Sequence, residues 1–173
     1  VGLQVSTSTT ILSFNSPAVS SVGRVNFPSS GSVSTTVLGA SFGTQDNTMD
    51  VRVAESGVVS ANWVSDSSVY CVVDQGVLTV KKFVVSSARQ IGTVTNVISY
   101  DQPSCSSSVP MNFGTTGVVS VSVSGTSFSV MDYSAHGRVE RTMCAAVEWT
   151  SDSVLRCQVA EGNREGLDVV ISV

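Results

Sequence analysis

Residues 63–71 read Trp63-Val64-Ser65-Asp66-Ser67-Ser68-Val69-Tyr70-Cys71, and residues 149–157 read Trp149-Thr150-Ser151-Asp152-Ser153-Val154-Leu155-Arg156-Cys157. Trp, Ser, Asp, Ser and Cys hold the same spacing in both, and the two stretches lie 86 positions apart. The same offset aligns the rest of the chain without a gap. Gln4 meets Gln90, Pro17 meets Pro103, Asn26-Phe27 meets Asn112-Phe113, and Gly39, Ser41 and Phe42 meet Gly125, Ser127 and Phe128. Of the 87 pairs this offset makes, 28 are identical, and others are near matches, such as Phe14 with Tyr100 and Val85 with Ile171. Identity of that extent over the full length is duplication of one structural unit. The period is longer than a solenoid repeat, and a unit of this size can bury its own core, so the two units are domains.

The composition points to β structure. Val, Ser and Thr dominate the 173 residues, Ser and Thr together number 47, and only 13% of residues are charged and 6% aromatic. β-branched Val and Thr suit a pleated, half-buried surface, whereas long helix formers are scarce. Net charge is −4, the isoelectric point about 4.8 and the mean hydropathy +0.27. So few cations cannot neutralise a phosphate backbone, which argues against a nucleic-acid partner. No apolar run reaches the roughly 18 residues of a membrane-spanning helix, so no membrane insertion is expected in this segment. The sequence begins at Val1 with neither an initiator Met nor a signal peptide. It therefore reads as a processed or excised piece, with any secretion signal outside it.

Periodicity places the strands. Residues 1–16 alternate loosely between apolar and hydroxyl side chains until Pro17 ends the run, as Pro103 ends its copy. Residues 17–30 are rich in Ser, Gly and Pro and read as loop. Residues 31–38 and 117–124 are the clearest strands. Val119, Val121 and Val123 alternate there with Ser120, Ser122 and Ser124, valines inward and serines to water. Gly39 and Gly125 open a turn after which Phe42 and Phe128 plug the core. Further short strands are expected over 49–54, 58–63, 68–73, 77–86 and 91–100. Seven or so short strands per unit, with no helical periodicity, predict an all-β immunoglobulin-like sandwich, twice in tandem.

Gly-x-Ser-Phe after a valine strand, then Trp-x-Ser-Asp-Ser-x-x-x-Cys some twenty residues on, makes each copy resemble an IPT/TIG domain. That is the immunoglobulin-like module shared by plexins and some transcription factors. The chain also resembles tandem arrays of such domains in very large surface proteins of algae and other protists, where a domain often ends in Ser-Tyr-Asp-x-Pro. Ser99-Tyr100-Asp101-Gln102-Pro103 has that form. The resemblance covers the whole chain. It implies adhesion, spacing or assembly outside the cell, with no catalytic residues to carry over. Such domains often hold a second Cys about a dozen residues before the motif's Cys, and Cys144 before Cys157 fits; the matching position in the first copy is Val58.

Four cysteines allow three pairings. The expected pair is Cys144 with Cys157, which leaves Cys71 and Cys105. A Cys71–Cys105 bond would staple the first domain to the start of the second; the competing reading of Cys71 is a buried free thiol in a β core. A disulfide framework places the chain in an oxidising, extracellular setting.

Each candidate site has a plain structural reading beside it. Gly39-Ala40-Ser41-Phe42-Gly43 fits the nucleophile-elbow pattern, but that motif needs a following helix and an activating His and acid; the second copy reads Gly125-Thr126-Ser127-Phe128-Ser129. His136 is the single histidine and reads as a solvated loop residue. With no paired cysteine motif, a zinc site is not expected. Asp66 and Asp152 are single carboxylates between serines, where calcium needs several, so an Asx-type turn is the better reading. Trp63 and Trp149 could stack on sugars, yet their place in the repeat favours a core or half-buried role. Trp63, Asp66, Trp149 and Asp152 thus form a structural motif. No Asn begins an N-glycosylation signal, and O-glycosylation of exposed hydroxyls stays open against the plain solvation of strand faces.

The expected layout is a terminal strand segment over residues 1–16, an IPT-like domain over 17–102, and a second over 103–173 that lacks its last strand. Residues 1–16 match 87–102, the segment that finishes the first domain, and nothing after Val173 supplies that segment to the second. The expectation is therefore a non-enzymatic, cofactor-free extracellular repeat, a building block of a surface filament or fibrous coat joined head to tail to further copies. The alternative is a ligand- or carbohydrate-binding ectodomain that takes glycans as partners. A binding module should expose aromatic or apolar patches in its loops, and these loops are short of aromatics.

Overall fold

The computed structural model describes residues 6–7, 9, 13–46, 48–54, 56–77 and 81–173. Among these the regular structure is all strand. The first sandwich contains β1 (Ala18–Val22), β2 (Asn26–Phe27), β3 (Val33–Ala40), β4 (Asp50–Val53), β5 (Ser56–Gly57), β6 (Ser60–Ser65), β7 (Ser68–Val73), β8 (Lys81–Ser87) and β9 (Gln90–Tyr100). The second contains β10 (Ser104–Val109), β11 (Val119–Thr126), β12 (His136–Val139), β13 (Thr142–Met143), β14 (Ala146–Ser151), β15 (Val154–Val159) and β16 (Val169–Ser172). The chain is two immunoglobulin-like sandwiches in tandem.

In the first sandwich one sheet runs β1-β3-β7-β6 and faces a second that runs β2-β9-β8-β4-β5. The second sandwich repeats the first sheet as β10-β11-β15-β14, and its facing sheet is β13-β12-β16. Alternation does what the sequence implies. In β7, Val69, Cys71 and Val73 point inward and are fully buried, while Tyr70 between them is exposed. Val51, Phe83 and Val85 reach the same core from the opposite sheet. Phe42 and Phe128 are both fully buried plugs. Gly39 and Gly125 precede them because a Cβ there would lie 2.1 Å from the carbonyl oxygens of Ala18 and Ser104 respectively.

Two expectations need correction. The stretch 17–30, read as loop, contains β1 and β2, and its copy contains β10. Its serines do not break the strand because β1 is an edge strand with mostly exposed side chains, so pairing with β3 satisfies its backbone while the hydroxyls face water. His136, read as a loop residue, opens strand β12 with its ring exposed. The strand expected over 1–16 lies largely outside the described residues, and residues 13–17 form none.

Candidate functional site: a groove in the second sandwich

β9 is the strand that makes the two sandwiches differ. Its early part pairs antiparallel with β8, from Gln90 opposite Ser87 to Val94 opposite Phe83. Its end pairs in parallel with β2, Ser99 beside Asn26 and Tyr100 beside Phe27. Ile98 and Tyr100 are both buried in the first core. The second sandwich repeats both neighbours of this strand: β16 stands where β8 does, and Asn112-Phe113 where β2 does. Among the described residues β16 pairs with β12 alone, and Asn112-Phe113 form no strand. Between them runs a cleft of about 1050 Å³, lined by Phe113, Val139, Val159, Gly162, Leu167 and Val169 among others. Phe27 and Phe83 are fully buried, whereas their matches Phe113 and Val169 are half-buried.

In the first sandwich the end of β9 fills the matching place. The Tyr100 ring lies tilted against Phe27, centroids 6.4 Å apart. It passes directly over Gly76, where a Cβ would come within 2.5 Å of the ring. Its Oη donates to the Asp74 carbonyl oxygen at 3.0 Å. Burial, with the charge of Asp74 and with Tyr133 adding to it, pushes the phenol up to about 12. Around it, Asn26 Nδ2 donates to Asp101 Oδ1 and Ser99 Oγ donates to Asn26 Oδ1. The Ser99 and Asp101 amides donate to the carbonyls of Val25 and Phe27, both at 2.8 Å.

The sandwiches meet end to end. Three residues after β9 closes the first, β10 opens the second. Ser29, 2% exposed, donates its hydroxyl to Asp152 Oδ1 at 3.1 Å, and the Gln75 amide lies 3.7 Å from Met131 Sδ. This corrects the reading of the two aspartates as self-capping turn residues. Asp152 accepts across the joint, and Asp66 Oδ1 accepts from the Gly43 amide at 2.9 Å. The serines two positions before each hairpin serine cap those turns instead: the Ser67 and Ser153 amides donate to Ser65 and Ser151 Oγ. Trp63 and Trp149 are half-buried, each packed against its own core. Trp149 Nε1 donates to the Phe128 carbonyl at 3.1 Å, while the buried Trp63 Nε1 has no partner.

Cys144 and Cys157 form a disulfide, Cα atoms 5.7 Å apart. Cys71 and Cys105 are both free thiols, the first buried and the second exposed, so the staple considered between them is not made. Burial pushes the Cys71 thiol up to about 12. Burial also raises Cys105, offset in part by a backbone hydrogen bond from Ile171. Gly137 explains how one copy took a disulfide and the other did not. A Cβ at Gly137 would lie 2.9 Å from Cys144 Sγ. The matching pair in the first sandwich is Val51, fully buried, with Val58 packed on the same core. Two valines there fill the volume that a glycine and a disulfide fill here. This compensating pair, Val51/Val58 against Gly137/Cys144, was visible in the repeat but needs the fold to bring its members together.

Ser41 sits at φ 61°, as Ser127 does at φ 62°, in a turn followed by loop and not by a helix. Among the described residues no three His, Cys, Asp or Glu side chains gather as a metal site, and no helix is long and apolar enough to cross a membrane.

Comparison with protein-family models matches residues 17–100 to the IPT/TIG domain. Residues 17–100 are an IPT/TIG domain. The second sandwich repeats its strand order through β16. Among solved structures, the chain is similar to the surface glycan-binding protein PbSGBP-B from Prevotella bryantii at 15% identity and a TM-score of 0.57, over 93% of this chain and 40% of that one. It also matches the full extracellular region of plexin A4 at 15% identity and a TM-score of 0.45, over 91% of this chain. A third match is SGBP-B from a xyloglucan utilization locus in Bacteroides uniformis, at 14% identity and a TM-score of 0.40, over 91% of this chain and 46% of that one. The chain spans 17% of the plexin ectodomain's length. No curated protein matches the sequence. At 15% identity the likeness to PbSGBP-B shows the fold alone.

Proposed function

We propose that this chain is a non-enzymatic structural or adhesive repeat unit of a cell-surface assembly, joined head to tail to further units. The observation that carries the reading is the joint. β9 finishes one sandwich and leads within three residues into the first strand of the next, and Ser29 meets Asp152 across the contact. The two surfaces that meet are different, one from each end of the repeat. A heterologous contact of this kind, repeated, gives an open array when the rotation from unit to unit does not close. The groove of the second sandwich is the place where the next unit would continue the array, with a segment of the kind found at residues 87–102. On this reading residues 1–16 complete a preceding or neighbouring domain, residues 17–102 are one domain, and residues 103–173 are a second that borrows its last strand. The disulfide and the IPT/TIG fold support an extracellular place.

A glycan-binding ectodomain is the rival, on the fold likeness to the surface glycan-binding protein PbSGBP-B. Trp63 and Trp149, the side chains best suited to stack on a sugar, lie half-buried against the cores. Electron microscopy of the native material decides the matter. Filaments or sheets with a repeat of two sandwiches are expected; dispersed monomers that bind an oligosaccharide on a glycan array would overturn the proposal.

A further inference from the structure

We infer that the groove of the second sandwich is an acceptor site for residues 13–17 of a second copy of this chain, with the Phe14 ring as its anchor. This inference rests on the head-to-tail reading and names the contact that would make it. Three observations converge. The first is Gly162. It matches Gly76, whose missing side chain leaves room for the Tyr100 ring. A Cβ at Gly162 would meet nothing within 4 Å, and its backbone is not left-handed. Neither conformation nor crowding within its own chain requires a glycine there. The open space there leaves room for a ring arriving from outside. The second is Phe14. It matches Tyr100 at the offset of the repeat, yet it is 90% exposed where Tyr100 is 5% exposed. An aromatic side chain of that size left in water gains by burial, in proportion to the apolar area it covers.

The third is the polar frame. Tyr100 is held in place by Ser99, Asn26 and Asp101. The matching residues are Ser13, Asn112 and Asn15. Ser13 can donate to Asn112 Oδ1 as Ser99 does to Asn26, and Asn15 Oδ1 can accept from Asn112 Nδ2 as Asp101 does from Asn26. The amides of Ser13 and Asn15 can donate to the carbonyls of Met111 and Phe113, the matches of Val25 and Phe27. The one group not carried over is the Tyr100 hydroxyl. Phe14 has none, so no polar atom is buried without a partner when its ring goes in. Pro17 then leads into β1 as Pro103 leads into β10, so the contact reproduces between two copies the step already present between the two sandwiches. This is recognition by strand addition, with main-chain bonds for affinity and one side-chain pocket for register.

The test uses the 173-residue chain and two variants. Phe14→Asp removes the anchor and leaves the groove. Gly162→Leu fills the groove and leaves the anchor; the open space at Gly162 lets the variant fold. Analytical ultracentrifugation of the wild type should show open-ended, concentration-dependent association. Each variant alone should associate at least about tenfold more weakly, as expected when a central aromatic anchor is lost. Mixed together, the two variants should form a complex that stops at two chains, since one intact groove meets one intact anchor. Wild type that stays monomeric, or variants that assemble as well as wild type, would overturn the inference. In the second case assembly through other contacts would leave the head-to-tail reading standing. If the wild type is monomeric while the native material is filamentous, the groove is filled from within a longer polypeptide, and the second copy is ruled out as its occupant.

Discussion

Trp63 and Trp149 occupy the same place in the repeat and differ in one hydrogen bond. Trp149 Nε1 satisfies the Phe128 carbonyl, while the buried Trp63 Nε1 has no partner. Replacement by Phe should therefore act unequally. Trp149→Phe loses the bond and leaves a carbonyl unsatisfied, so it should cost about 1–2 kcal/mol more than Trp63→Phe, which removes an unpaired donor. Thermal unfolding followed by calorimetry checks the difference; equal losses would contradict it. Gly137 gives a second test at this scale. Gly137→Val drives a side chain into Cys144 Sγ, Val147 and Ile171 and should destabilise the second sandwich by roughly 1–3 kcal/mol, as overpacking does. Cys144→Val alone breaks the disulfide to Cys157 and loses its contribution. Against that background Gly137→Val should cost less than it does alone, because the double variant rebuilds the Val51/Val58 arrangement. Denaturant unfolding of both single variants and the double variant under non-reducing conditions measures the coupling.

At the scale of elements, β7 and β9 tie the first sandwich to pH. Cys71 on β7 and Tyr100 at the end of β9 are both held neutral by burial, each pushed up to about 12 from ordinary values of 9 and 10. A raised pKa in the folded state means that the fold keeps protons the unfolded chain gives up. The stability these groups contribute is thus whole below about pH 9 and falls as pH rises from there toward 12. Urea unfolding at pH 8 and pH 11 should show the first sandwich weakening at the higher value. A Cys71→Val, Tyr100→Phe variant should lose less, and an unchanged pH slope would show that other groups set it. At the matching positions the second sandwich has no such group among the described residues, since its β15 cysteine is in a disulfide. Its own burial-raised thiol is Cys105 on β10, which acts in the same direction.

Across the whole molecule, the joint is small and depends on loops. Ser29 donates to Asp152 across the joint, alongside the longer Gln75–Met131 contact, and Ser29 is almost fully buried. Ser29→Ala should leave each sandwich folded but cost about 1 kcal/mol of docking. Small-angle scattering checks this: the variant's maximum dimension and flexibility should rise while circular dichroism stays the same. An unchanged scattering profile would mean that the short 101–103 connection and the remaining contacts, Gln75 with Met131 among them, fix the angle.

The sequence by itself determined the duplication, the fold class and the core. Those are written in local terms: a fixed offset of 86, valines at every second position, and a Trp-to-Cys motif that each copy repeats. Alternation dictates which side chains face inward whatever the partner strand is. The edge strands β1 and β10 were not legible because a Ser-rich strand owes its existence to the neighbour it pairs with and not to its own pattern. The roles of Asp152, Gly137 and Gly162 were not legible for a related reason. Each is defined by an atom far away in the chain: the Ser29 hydroxyl, the Cys144 sulfur, and the place a Tyr100-like ring would fill. Only the tertiary structure brings those atoms within contact distance, and only there does a glycine with nothing beside it become informative.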